Sequence, residues 1–214
     1  MKKIAIVIGA TGVVGRELVD QLAVHNAFEK VVTLTRRAVN YDHPKIFNQV
    51  IDFDQLDREE KYFRGDYLFS ALGTTRNQAG SIEAQKKVDV GYQFKAAQLA
   101  VNNGVSHYLL VSSSGAHADS NSPYLKMKAE LEEKIKTLPF KRTIIVRPSL
   151  LLGEREDFRL VEKVGGFILP IICRLPGLTK YRPISGKQVA GAMIKISQNS
   201  GQGVDIYSLD ELHL

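Results

Sequence analysis

A chain of 214 residues is long enough to bury a substantial core as one large domain or two small ones. Its 44% hydrophobic and 24% charged residues suit a folded globular protein, and no apolar run approaches the roughly 18–20 residues of a membrane-spanning helix. The net charge of +6 raises nucleic acid as a partner, but the basic residues of 126–142 (Lys126, Lys128, Lys134, Lys136, Lys141, Arg142) alternate with Glu130, Glu132 and Glu133, as on a solvated helix face.

No repeat of aromatic and basic residues offers a base-stacking platform, so neither a nucleic-acid nor a membrane partner is expected. Cys173 is the only cysteine, which excludes an intrachain disulfide and fits a reducing, cytoplasmic setting. His25, His43, His107, His117 and His213 never pair at metal-ligand spacing, so no metal site is expected.

Lys2 and Lys3 before Ile4–Ile8 imitate a signal peptide, but the apolar run is short and passes straight into glycines and the pair Arg16-Glu17. It predicts a first strand, apolar throughout as a central parallel strand should be. A helix is predicted from Val13 to about His25, then strands at Val31–Thr35 and Ile46–Phe53, a short helix at Asp54–Phe63, and a fourth strand at Tyr67–Leu72. Ser81 is placed to cap a long helix to Asn102, with Gly104 just beyond its end. Tyr108–Ser112 predicts strand five, Tyr124–Leu138 a helix and Thr143–Val146 strand six. After Pro148 the pattern loosens. A helix within Glu154–Cys173 is interrupted by Gly165-Gly166 and Pro170, and a helix at Gln188–Gln198 precedes a strand at Val204–Ser208.

This alternation predicts an α/β fold: a Rossmann-type, doubly wound, mainly parallel sheet with helices on both faces. The tail after Pro148 is too short for a second domain. One domain over 1–214 is therefore expected, with a small C-terminal region at about 149–214.

The strongest motif is Gly9-Ala10-Thr11-Gly12-Val13-Val14-Gly15, a G-x-x-G-x-x-G loop between a strand and a helix. One glycine permits the tight turn off the strand and another lets backbone approach a pyrophosphate. Gly15 lets the helix pack closely. The helix start then offers free N–H groups and partial positive charge to phosphates. After strand two, where NAD sites usually carry an acid for the ribose hydroxyls, stand Arg36 and Arg37. Two guanidiniums suit a 2′-phosphate, so NADP(H) is expected in preference to NAD(H). Asp52, after strand three, is placed to accept a bond from the adenine amino group.

Tyr-x-x-x-Lys occurs at Tyr41/Lys45, where Pro44 breaks the pattern, and at Tyr124/Lys128 on a predicted helix, where i and i+4 share a face. Ser112, Ser113 and Ser114 lie upstream at the end of strand five. Hydride transfer to a carbonyl needs a proton donor, and bringing a tyrosine from about 10 to near 7 takes roughly 4 kcal/mol. An ammonium at about 4 Å supplies that at an effective dielectric near 20, but only about 1 kcal/mol in water, so such a pair needs a ligand or lid over it. A serine hydroxyl can orient the carbonyl oxygen.

The glycine loop, the serine-bearing strand end and Tyr124-x-x-x-Lys128, in that order, resemble an atypical short-chain dehydrogenase/reductase. Leu72-Gly73-Thr74-Thr75-Arg76, Ser112-Ser113-x-Gly115-Ala116, Tyr124-Leu125-x-x-Lys128 and Arg147-Pro148 before Leu150-Leu151-Leu152 resemble its Tat-interacting-protein-like branch. The resemblance implies that Thr11–Val14 contact the pyrophosphate and Arg36/Arg37 the 2′-phosphate. It places Leu72, Gly73 and Thr74 beside the cofactor, Tyr124 and Lys128 by the nicotinamide ribose, Leu151 by the nicotinamide, and Arg159 at the cofactor too. The interval from serine to tyrosine is shorter than in many short-chain reductases, which leaves Ser113, Ser114 or neither as the substrate-orienting serine.

The leading expectation is an NADPH-dependent oxidoreductase acting on a small carbonyl or alcohol of unknown identity. The alternatives are a non-catalytic NADP(H)-binding regulator with a protein partner, a role the branch resemblance implies, and sugar-nucleotide epimerase-like chemistry.

Overall fold

The computed structural model describes residues 2–152 and 182–212. Seven strands form one sheet: β1 (Lys3–Ile8), β2 (Phe28–Thr35), β3 (Ile46–Val50), β4 (Tyr67–Ser70), β5 (His107–Val111), β6 (Arg142–Arg147) and β9 (Gly203–Ser208). Their order is β3-β2-β1-β4-β5-β6-β9, and every pairing is parallel. The Rossmann-type, doubly wound sheet expected from the sequence is therefore what the chain forms. The order reverses between β1 and β4, and the crevice beyond the carboxyl ends of those strands is where such sheets bind ligands.

The wholly apolar character of β1 follows from its place. Ala5 and Val7 face one core, shared with Leu18 and Leu22 of α1 (Val13–Val24) and with Met193 of the helix at Gly186–Ser197. Ile6 and Ile8 face a second core. This is closed by Ala96 and Ala100 of the helix at Gln93–Asn102 and by Leu131 and Ile135 of the helix at Pro123–Lys136. Side chains alternate along a strand, so burial on both faces removes the need for any polar position.

Several boundaries differ from the sequence expectation, each for a local reason. β3 stops at Val50, short of Phe53, because the Asp52 carboxylate accepts the Asp54 N–H and starts a 3₁₀ helix at Phe53–Tyr62. β4 stops at Ser70, and the chain then bends through Leu72–Thr74 into a short helix that the sequence did not suggest, α2 (Arg76–Ala79), capped by Thr75. The long helix begins where expected, with Ser81 accepting the Ala84 N–H, but it is not uniform. α3 (Ile82–Lys86) opens into a π turn at Lys87–Tyr92 before α4 (Gln93–Asn102). There the Gln93 N–H reaches the Val90 carbonyl, and its side-chain amide takes the Asp89 carbonyl.

α5 (Pro123–Lys136) and α6 (Gly186–Ser197) follow the expected pattern. A two-stranded ribbon, β7 (Leu151–Leu152) with β8 (Ile184–Ser185), was not expected. The helix expected within Glu154–Cys173 lies outside the described residues, as does Arg159.

The expectation of a solvated charged face over 126–142 holds for Lys126, Glu133, Lys134 and Lys141, which are exposed, and fails at three positions. Lys128, Glu132 and Arg142 are buried, each in an ion pair: Lys128 with Asp89, Glu132 with Arg147 and Arg142 with Asp205. Burial of an ionised group is tolerated where a partner and hydrogen bonds replace water. Arg142 also donates to the Ile196 carbonyl, tying edge strand β9 to the end of α6.

Candidate cofactor and active site

The turn after β1 needs glycine for two separate reasons. Gly9 has φ +79°, and a Cβ there would lie 2.4 Å from the backbone of Ala71 and Leu72. A Cβ on Gly15 would lie 2.0 Å from the Gly9 carbonyl oxygen. Between them Gly12 caps α1, donating its own N–H to Gly9, and among the described residues no side chain satisfies the amides of the first turn. Backbone donors at an uncapped helix start suit an anion.

They face a cleft of about 500 Å³ bounded by Gly9–Val13, Ala71–Thr74, Arg16, Arg36 and Arg37. Among the described residues no carboxylate lines it. Arg36 and Arg37 are exposed at the end of β2, and their turn is braced from within: Thr35 Oγ1 donates to the Arg37 carbonyl and Asn48 Nδ2 donates to Thr35 Oγ1. Asp52 lies beside Arg36 in an adjoining hollow of about 440 Å³. Its two carboxylate oxygens already accept from the Asp54 N–H and from Gln55 Nε2. Glycine clearance, backbone amides at the helix start and two guanidiniums on the cleft together fit a pyrophosphate and its adenosine end.

At the other end of the cleft lies a smaller pocket of about 130 Å³ that Val13, Val14, Leu72, Gly73, Ser112, Tyr124, Lys128 and Leu151 line. Tyr124 is 38% exposed, while Lys128, one turn along α5, is 4% exposed with its Nζ 5.6 Å from the Tyr124 ring centre. The shielding that the sequence reading assigned to a ligand or lid is therefore already supplied to the ammonium by the protein. Ser113 is half-buried and Ser114 exposed, and neither lines this pocket; Ser112 does.

Two residues that sequence reasoning did not assign to the site shape this end. Asp89, on the π turn, is fully buried with Oδ1 3.6 Å from Lys128 Nζ, and its Oδ2 has no hydrogen-bond partner among the described residues. Burial raises its pKa, while the Lys128 charge and the Thr74 N–H pull the other way. Glu132, the next residue along the same face of α5, accepts from the Ser112 hydroxyl and from the Arg147 guanidinium, which its carboxylate holds more firmly charged. The Ser112 proton is thus directed away from the pocket. A Tyr, Lys, Glu spacing of four was visible in the sequence; the burial that gives it meaning was not.

A parallel sheet with a glycine-lined cleft at its switch point defines a dinucleotide-binding class of protein, and a Tyr-x-x-x-Lys helix lies beside that cleft. Residues 9–199 match the model of the NAD(P)H-binding family, and the chain belongs to that family. It is similar to "Protein FMP52-1, mitochondrial" of Scheffersomyces stipitis, at 38% identity over 92% of this chain and 88% of that protein. It is also similar to "Protein HTATIP2" of Rattus norvegicus, at 37% identity over 73% of this chain and 66% of that protein. The latter match bears out the Tat-interacting-protein-like resemblance.

Among solved structures, MoeE5 in complex with UDP-glucuronic acid and NAD superposes with a TM-score of 0.73 at 16% identity, over 96% of this chain and 75% of that one. UDP-N-acetylglucosamine 4-epimerase from Methanobrevibacter ruminantium M1 gives 0.70 at 21%, over 96% and 76%. At such identities these attest the fold alone. The cytoplasmic expectation does not survive the comparisons, because relatives from S. stipitis, Candida glabrata, Debaryomyces hansenii and Candida albicans are all named mitochondrial. A single cysteine excludes an intrachain disulfide in any compartment and so could not have distinguished one from another.

Proposed function

We propose that the protein is an NADPH-dependent oxidoreductase that interconverts a small carbonyl compound and its alcohol. The observation that carries this is the Tyr124–Lys128 pair, held on one face of α5 at the end of a cleft built for a dinucleotide. Arg36 and Arg37, two guanidiniums on the cleft at the end of β2, support NADPH over NADH. Leu151, on the ribbon that begins the C-terminal region, reaches the same pocket, which supports reading 149–214 as the substrate side of one domain.

When bound, the nicotinamide supplies the hydride. The protein's part is to hold and protonate. Amides of Thr11–Val14 bind the pyrophosphate, with Gly9, Gly12 and Gly15 leaving room for it. Leu72, Gly73 and Thr74 wall the cleft, and Leu151 closes it at the nicotinamide end. Tyr124 donates the proton from its hydroxyl to the developing alkoxide. Lys128, fixed by Asp89, holds the ribose and favours the tyrosinate left behind. The Ser112 hydroxyl is committed to Glu132, and Ser113 and Ser114 do not line the pocket, so no serine is assigned to orient the carbonyl.

The test is NADPH consumption against a panel of small aldehydes and ketones, with mass spectrometry of nucleotide released from the purified protein. Tyr124→Phe should lower turnover at least about 100-fold, as expected for loss of a general acid, while NADPH affinity stays within about twofold. Unchanged turnover in that variant removes Tyr124 from the mechanism. Tight NADPH binding with no consumption by the wild type would instead favour the regulator.

A further inference from the structure

We propose that Arg16 is a third selector of the phosphorylated cofactor, closing on the 2′-phosphate from the α1 side while Arg36 and Arg37 hold it from β2. This rests on the preference for NADPH proposed above and adds a residue outside the glycine motif.

Four observations converge on it. Arg16 borders the same cleft as Arg36 and Arg37, although it comes from a different element. Its side chain is exposed, and among the described residues it makes no ion pair or side-chain hydrogen bond, even though Asp20 stands one turn further along the helix. It sits four residues past the N-cap of a helix whose first turn carries no acid. A positive charge near that end works against the helix dipole, so α1 gains nothing from an arginine there. Among the described residues the lining of the cleft contains three guanidiniums and no carboxylate, Asp52 lying beside Arg36 in the adjoining hollow. A ribose 2′-hydroxyl asks for an acceptor, which this lining lacks as a charged group. A phosphate dianion asks for several donors in fixed forks, and guanidiniums supply them.

The full-length protein would be titrated with NADPH, NADH and adenosine 2′,5′-bisphosphate, as wild type, Arg16→Gln and Arg16→Lys, at two salt concentrations. For Arg16→Gln the affinity for NADPH and for the bisphosphate should fall about tenfold, the loss of one charge-assisted hydrogen bond at an exposed phosphate. NADH affinity should stay within about twofold, and the salt dependence of NADPH binding should become shallower. Arg16→Lys should recover part of the loss. The thermal midpoint without nucleotide should not move, because the side chain is exposed and unpaired.

Equal losses for NADPH and NADH would overturn the proposal and assign Arg16 to the pyrophosphate, and no loss for either would overturn it outright. If the wild type itself shows no preference for NADPH, the parent reading fails and this one with it. A wild-type preference that persists in Arg16→Gln sinks only the role of Arg16.

Discussion

At the scale of single residues, the site depends on charges placed where water cannot reach them. Asp89 and Lys128 are both buried, and each answers a cost the other creates. Removing one partner strands the other, which typically costs about 3–5 kcal/mol, whereas replacing both by apolar residues is far less damaging. Asp89→Ala should therefore lower stability by about that much in urea denaturation, and Asp89→Leu combined with Lys128→Met should recover most of it. A double variant as unstable as the single one would show that the pair does not act as a unit. Tyr124 and Lys128 were legible because their spacing and their place after a serine-bearing strand have a chemical reason. Asp89 was not, because its partner lies on another helix and nothing local marks an aspartate as buried. Glu132 and Arg142 were misread for the same cause: alternating signs look alike in water and in paired burial.

At the scale of elements, β5 carries a built-in response to acid. His107 at its start stacks on Tyr67 with ring centres 4.5 Å apart. Burial lowers its pKa, and Lys141, Arg142 and Lys3 push the same way. A histidine whose folded value lies below its ordinary 6.5 favours the neutral ring, so its contribution to stability is present above 6.5 and is lost as pH falls through the lowered value. The urea midpoint of the wild type should decline over that window, and His107→Gln, which does not titrate there, should decline less. Parallel slopes in the two proteins would refute the assignment. Strands and helices themselves were legible to within a few residues, since apolar runs and capping residues such as Ser81 have direct structural meaning. The π turn at Lys87–Tyr92 was not, because a widened turn has no compositional mark and depends on where Gln93 can reach.

At the scale of the whole molecule, the sheet's nucleotide-binding crevice was legible from a single loop, since G-x-x-G-x-x-G between strand and helix leaves few other uses for its glycines. Strand order was legible only as a class, because which strands neighbour one another depends on packing between segments far apart in the chain. The contact of Gly9 with Ala71 and Leu72 has a consequence for how the molecule could fail. It lies at the seam where the two halves of the sheet meet, so a methyl group added there is a wedge driven between them before it is an obstacle to any nucleotide. Gly9→Ala should consequently be recovered in inclusion bodies, or melt many degrees lower, in cofactor-free and cofactor-saturated samples alike. A variant that folds normally and has merely lost its grip on NADPH would mean that the seam can part without the halves coming undone.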